Sequence, residues 1–158
     1  MLSTRTPFLL SIVALAALGI SCAASQSAPA EPWRVSVTSS GGLAGHGMGN
    51  YSIGSDGVVS VTNMAGKTCT FTATTAEVAH VGKLVGGADA ARWRESYMPE
   101  DTCCDRIEWT LRVEEGSRTT TTKWLDREGP LPADLTALAD ALAGGTESVR
   151  TVYEPRCR

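Results

Sequence analysis

The chain has 158 residues, with 14 Lys and Arg against 17 Asp and Glu, a net charge of −3. Its basic residues Arg92, Arg94, Arg106, Arg112, Arg118, Lys123 and Arg127 alternate with acids, which excludes a basic stripe for tracking a nucleic-acid backbone. The length suits one small domain with a modest core.

The N-terminus reads as a leader. Arg5 supplies a positive start, and residues 8–20 form an uncharged apolar run too short to span a bilayer comfortably. Leu18-Gly19-Ile20-Ser21-Cys22 resembles a bacterial lipobox, with Gly19 where Leu is usual. A signal peptide over 1–21 and a lipidated Cys22 follow from that resemblance, so the membrane is an expected partner and export the expected route. An ordinary cleavage near Ala23 or after Ala28-Pro29-Ala30 is the alternative. Residues 22–32 are small, polar and contain Pro, the composition of a tether. The folded domain is expected over 33–158.

Trp33-Arg34-Val35-Ser36-Val37-Thr38 alternates apolar and polar, as a strand with one buried face does. The stretch 39–57 then holds seven of the chain's 16 glycines. Residues 50–62 read as a hairpin turned at Asp56-Gly57. After a turn at Ala65-Gly66-Lys67, Cys69 and Phe71 alternate with threonines in another short strand. Thr74-Thr75-Ala76-Glu77 fits a capping box opening a helix striped by Val78, Val81 and Val85 and closed by Gly86-Gly87. A further short helix is expected over 89–97, with Trp93 and Tyr97 one turn apart.

The clearest strand is 106–114, with Ile107, Trp109, Leu111 and Val113 facing in. A turn at Glu115-Gly116 would set Glu108 opposite Lys123 and Ile107 opposite Trp124. Leu131, Leu135, Leu138 and Leu142 mark a second helix started at Pro130-Leu131-Pro132 and stopped at Gly144-Gly145. Residues 149–153 read as a last edge strand. This order predicts an α+β domain: an antiparallel sheet of about five to six strands with two main helices on one face.

Four cysteines fall within the domain: Cys69, Cys103, Cys104 and Cys157. In an exported chain they favour two disulfides. A bond between the adjacent Cys103 and Cys104 is disfavoured by peptide geometry, so Cys69 and Cys157 are each expected to take one of that pair. No C-x-x-C occurs and neither histidine stands at ligand spacing to a cysteine, so no metal is expected.

Enzyme signatures fail one by one. Gly45-His46-Gly47-Met48-Gly49 lacks the GxGxxG spacing and opens a hairpin rather than a helix. Gly66-Lys67-Thr68 lacks the earlier glycine of a P-loop, that position being Val61. There is no GxSxG, no HExxH and no cysteine beside a plausible histidine. His80 reads as a boundary residue of its helix. Glu95, Glu100, Asp101 and Asp105 sit among arginines as a solvated cluster, and the tryptophans read as core. No catalytic residue, nucleotide or other cofactor is expected.

One resemblance emerges from the order of elements. A first strand ending in Ser40-Gly41-Gly42-Leu43-Ala44-Gly45 resembles the opening of the emfourin, or protealysin-inhibitor, family. The later pattern is also similar: a Val-striped helix at 78–85, Asp105 before an alternating strand, a turn at Gly116, a second strand and a Leu-rich closing helix. The chain departs from that pattern in Leu43, where Phe is common, in its longer glycine loop, its four cysteines, its leader and its C-terminal extension. The resemblance implies a small bacterial inhibitor of thermolysin-like zinc metalloproteases. It implies partner contact through Ser40, Gly41, Gly42, Leu43, Gly45, His46, Met48 and Asn50. The alternatives are an envelope lipoprotein without inhibitory activity and a glycine loop that only makes turns.

Overall fold

β1 (Trp33–Gly41) buries Val35 and Val37 on one face and leaves Arg34, Ser36 and Thr38 on the other. That alternation repeats across the sheet. In this computed structural model, which describes residues 31–42, 45, 47–99, 105–125 and 130–157, β1 lies in the middle of seven strands. β2 (Asn50–Gly54), β3 (Val58–Thr62) and β4 (Thr68–Thr72) follow on one side as an antiparallel meander. α1 (Thr75–Gly87) comes next, then a single 3-10 turn at Ala90–Arg92 and a two-residue strand, β5 (Ser96–Tyr97). β6 (Ile107–Glu115) pairs with the other side of β1, and β7 (Arg118–Leu125) pairs with β6. The sheet order is β4-β3-β2-β1-β6-β7-β5.

α2 (Ala133–Ala139) runs into a π turn at Asp140–Gly144, and α3 (Val149–Tyr153) is followed by a 3-10 turn at Glu154–Arg156. Pairing register lines up Cys69, Val61, Tyr51, Val37, Leu111 and Thr122 in one row across the covered face, and Phe71, Val59, Ile53, Val35, Val113 and Thr120 in the next. Helical Val81, Val85, Leu135, Leu138, Leu142, Val149 and Tyr153 close over these rows to form one core. The opposite face is polar, as expected of an antiparallel sheet covered once.

The α+β class holds, but the sheet has more strands than the pattern predicts. It is also mixed, because β5 lies parallel to β7. The helix expected over 89–97 is confined to the 3-10 turn at Ala90–Arg92: Thr122 Oγ1 donates to the Arg94 carbonyl at 2.7 Å, the Lys123 N–H donates to the Glu95 carbonyl at 3.1 Å, and the rest of the segment is drawn onto the sheet edge. Residues 149–153 are helical rather than an edge strand. Ser148 caps them by accepting from the Thr151 N–H, and Arg150 pairs with Glu154 one turn on.

The hairpin register differs by one turn position. The two loop residues are Gly116 and Ser117, with Glu115 opposite Arg118, because Gly116 takes a left-handed φ of 55°. Trp109 therefore faces Trp124, and Glu108 faces Leu125. The inside–outside pattern survives, since the shift is even. Glu108 still reaches Lys123, diagonally, at 3.3 Å.

The expected disulfides are corrected as well. Cys69 bonds to Cys157, with Cα atoms 5.7 Å apart. The chain end returns over β4 at the edge of the sheet, which puts these two cysteines beside each other. The leader, Cys22, Cys103 and Cys104 lie outside the described residues, as do Leu43, Ala44, His46, Glu100 and Asp101.

Candidate functional site

The glycine-rich stretch leaves the sheet at the end of β1 and re-enters it at β2, and the sequence there is committed to a hydrogen-bonded loop. Gly42 N–H donates to the Arg106 carbonyl at 3.0 Å, which ties the start of the loop to the segment before β6. Gly47 N–H donates to the Gly41 carbonyl and Gly45 N–H to the Gly42 carbonyl, both at 2.9 Å. Ser39, half-buried on the helix-covered side of β1, organises the return. Its Oγ accepts from Met48 N–H and donates to the Gly49 carbonyl, each at 2.7 Å. Tyr51, 1% exposed, holds the same turn from below, its hydroxyl donating to the Met48 carbonyl at 2.6 Å. That hydroxyl is also 3.1 Å from Glu154 Oε2. Burial, with the Glu154 carboxylate beside it, pushes the Tyr51 hydroxyl well above the usual tyrosine range.

The glycines divide by what surrounds them. A Cβ at Gly41 would stand 2.5 Å from the Arg106 carbonyl oxygen, one at Gly49 would stand 2.5 Å from that of Thr62, and one at Gly47 would overlap the Ser39 backbone. These three let strands and loop approach closely. Among the described residues, Gly42 has only Ile107 Cγ1 at 3.6 Å, and Gly45 has nothing within 4 Å. Gly42 and Gly45 are therefore uncrowded by the described residues, whereas Gly41, Gly47 and Gly49 are needed by the fold.

Among the other expected contact residues, Ser40 is exposed opposite Glu108, and Asn50 is exposed with its Oδ1 accepting from Ser39 N–H at 3.4 Å. Met48 is half-buried and anchors the loop through its backbone. A cleft of about 500 Å³ runs beside the loop, lined by Ser39, Gly49, Asn50, Thr62, Asn63 and Met64. Met64, on the β3–β4 turn, is 55% exposed.

A larger groove of about 770 Å³ lies between α1 and the π turn and holds His80 with Glu77, Asp140 and Glu147. Its Glu77 is already committed to the α1 capping box and accepts from the Tyr153 hydroxyl at 2.9 Å. Among the described residues no group of three or more His, Cys, Asp or Glu is placed to hold a metal ion.

Sequence reasoning missed Ser39, Tyr51 and Glu154. Ser39 stood beside the motif but showed no signal of its own, and the Tyr51–Glu154 contact spans 103 residues. Compared with protein-family models, with curated proteins and with solved structures, the chain has no match.

Proposed function

We propose that the chain is an exported, lipid-anchored binding protein that inhibits a thermolysin-like metalloprotease by seating residues 40–50 in the protease cleft. The observation that carries this reading is the preorganised loop, with Ser39 and Tyr51 fixing its return while Gly42 and Gly45 stay sterically open. A loop held before binding loses less conformational entropy on docking. Open glycines let another backbone come close. The resemblance of 33–142 to protease inhibitors supplies the partner class. The lipobox-like stretch at Cys22 supplies the anchor.

The test is a titration. The full chain, exported into an oxidising compartment and purified, is added to a thermolysin-like protease hydrolysing a small fluorogenic peptide. Stoichiometric, saturable loss of activity is expected, with the chain remaining uncleaved. Gly45→Trp should abolish inhibition while the circular dichroism spectrum is retained. Gly45→Asn, which tolerates the same backbone angle, should keep most of it. A folded wild-type chain with no effect on the protease would leave a non-inhibitory envelope binding protein.

A further inference from the structure

The C-terminal segment reaches the candidate loop from the far end of the chain. Its last turn is fastened to β4 by the Cys69–Cys157 disulfide, and Asn63 Nδ2 donates to the Cys157 carbonyl at 2.9 Å. The Tyr153 ring packs on Phe71 with centroids 5.3 Å apart, and the Arg156 guanidinium lies over both rings at 4.8 and 5.1 Å. One turn back, Glu154 Oε2 lies between Arg150 Nε at 3.2 Å and the Tyr51 hydroxyl at 3.1 Å. That same hydroxyl donates to the Met48 carbonyl in the loop. Tyr51 thus touches the C-terminal segment and the loop backbone through a single atom.

We propose that residues 148–157 are a disulfide-fastened strap that positions the glycine loop through Tyr51, so that the loop is set only in the oxidised chain. This rests on reading the loop as the binding element. The physical cause is exclusion of water. With the strap packed beside it, the part-buried Tyr51–Met48 hydrogen bond meets less competition from solvent, and a shielded hydrogen bond is worth more than a wet one. A dithiol reductant would open the device. The Sγ–Sγ bond breaks, two electrons and two protons pass to Cys69 and Cys157 as thiols, and the dithiol closes to its own disulfide. The strap end is then released, water reaches the Tyr51 hydroxyl, and the Met48 turn loosens. Tyr51 and Glu154 are positioning residues in this scheme.

Peptide mapping of the oxidised full chain should first find Cys69 linked to Cys157; linkage of either to Cys103 or Cys104 would overturn the proposal. Amide hydrogen exchange then follows Gly45, Gly47 and Met48 in the loop, with Val81 and Leu111 as core references. The double variant Cys69→Ser/Cys157→Ser and the single variant Tyr51→Phe should each speed loop exchange roughly fivefold or more, the worth of one hydrogen bond, with the references unmoved in Tyr51→Phe. Glu154→Gln keeps an acceptor oxygen and should retain protection, whereas Glu154→Ala should lose it. If the double variant also frees the references, Tyr51→Phe and the Glu154 pair decide alone. Unchanged loop exchange in Tyr51→Phe overturns the strap. Protease titration of the same samples separates the two readings. A loosened loop with no inhibition by any form, wild type included, sinks the protease reading and leaves the strap. An unchanged loop with strong wild-type inhibition does the reverse.

Discussion

Gly45 and Gly49 share a left-handed backbone, with φ of 71° and 101°, but not their neighbours. An alanine methyl at Gly45 meets none of the described residues, so Gly45→Ala should cost only the backbone term, about 1 kcal/mol. At Gly49 the methyl would stand against the Thr62 carbonyl oxygen and 2.8 Å from the Tyr51 hydroxyl. Gly49→Ala should therefore cost roughly 3 kcal/mol or more, as overpacking adds to strain. Denaturant midpoints compare the two, and equal losses would refute the division of the glycines. A second residue-scale effect lies at Glu77. Burial opposes its charge, but hydrogen bonds from the Thr74 hydroxyl and N–H and from Tyr153, with Arg156 nearby, outweigh it and hold the carboxyl below the usual range. Asp134 is lowered in the same way: burial is overcome by hydrogen bonds from Asp89 N–H, Trp93 Nε1 and Leu135 N–H. A folded pKa below the unfolded one adds stability that is present above the unfolded value, about 4, and is lost as pH falls through the folded one. Stability should thus fall as the pH drops below the usual carboxylate range, about 4. Glu77→Gln should flatten that limb in a pH series of urea melts; an unchanged slope would show that this carboxylate carries none of it.

Elements differ in how much of them a linear reading can reach. α1 was legible because its signals are local: Thr74 and Glu77 close the capping box within four residues, and the valines set the period. The β2–β3 hairpin was legible for the same reason, its turn chemistry lying between its strands. Residues 149–153 were not. Val149, Thr151, Val152 and Tyr153 are strand formers by propensity, yet the Ser148 cap and the packing of Val149 and Tyr153 into the core make them a helix. β5 has two residues and no period to detect. The glycine loop was conspicuous in composition, but which glycines it needs depends on Arg106 and Thr62, far along the chain. The disulfide is the extreme case, since its partners are 88 residues apart and only the packing of the C-terminus over β4 selects them. A link of that span removes much unfolded-state entropy. Cys69→Ser/Cys157→Ser should lower unfolding free energy by about 2–5 kcal/mol in guanidinium melts of the oxidised chain. Loss of under about 1 kcal/mol would mean that the link forms without constraining the unfolded ensemble.

On the scale of the whole molecule, β1 fixes the distance between the two ends that matter. The proposed tether, residues 22–32, leads into β1, and the candidate loop begins where β1 ends. Nine strand residues at about 3.3 Å each put roughly 30 Å between the two ends of β1. Lipidation at Cys22 and protease contact through residues 40–50 are proposed for separate segments of the chain. The two activities should then be separable. Cys22→Ser should abolish palmitate labelling and move the chain from the membrane fraction to the soluble one. Its inhibition of a thermolysin-like protease in solution should match that of the detergent-extracted wild type within about twofold, because nothing at the loop end depends on the lipid. Retention of Cys22→Ser with membranes would refute lipidation as the anchor. Solubilisation accompanied by lost inhibition would refute the independence of the two ends, and would place part of the binding surface near Glu31 and the start of β1.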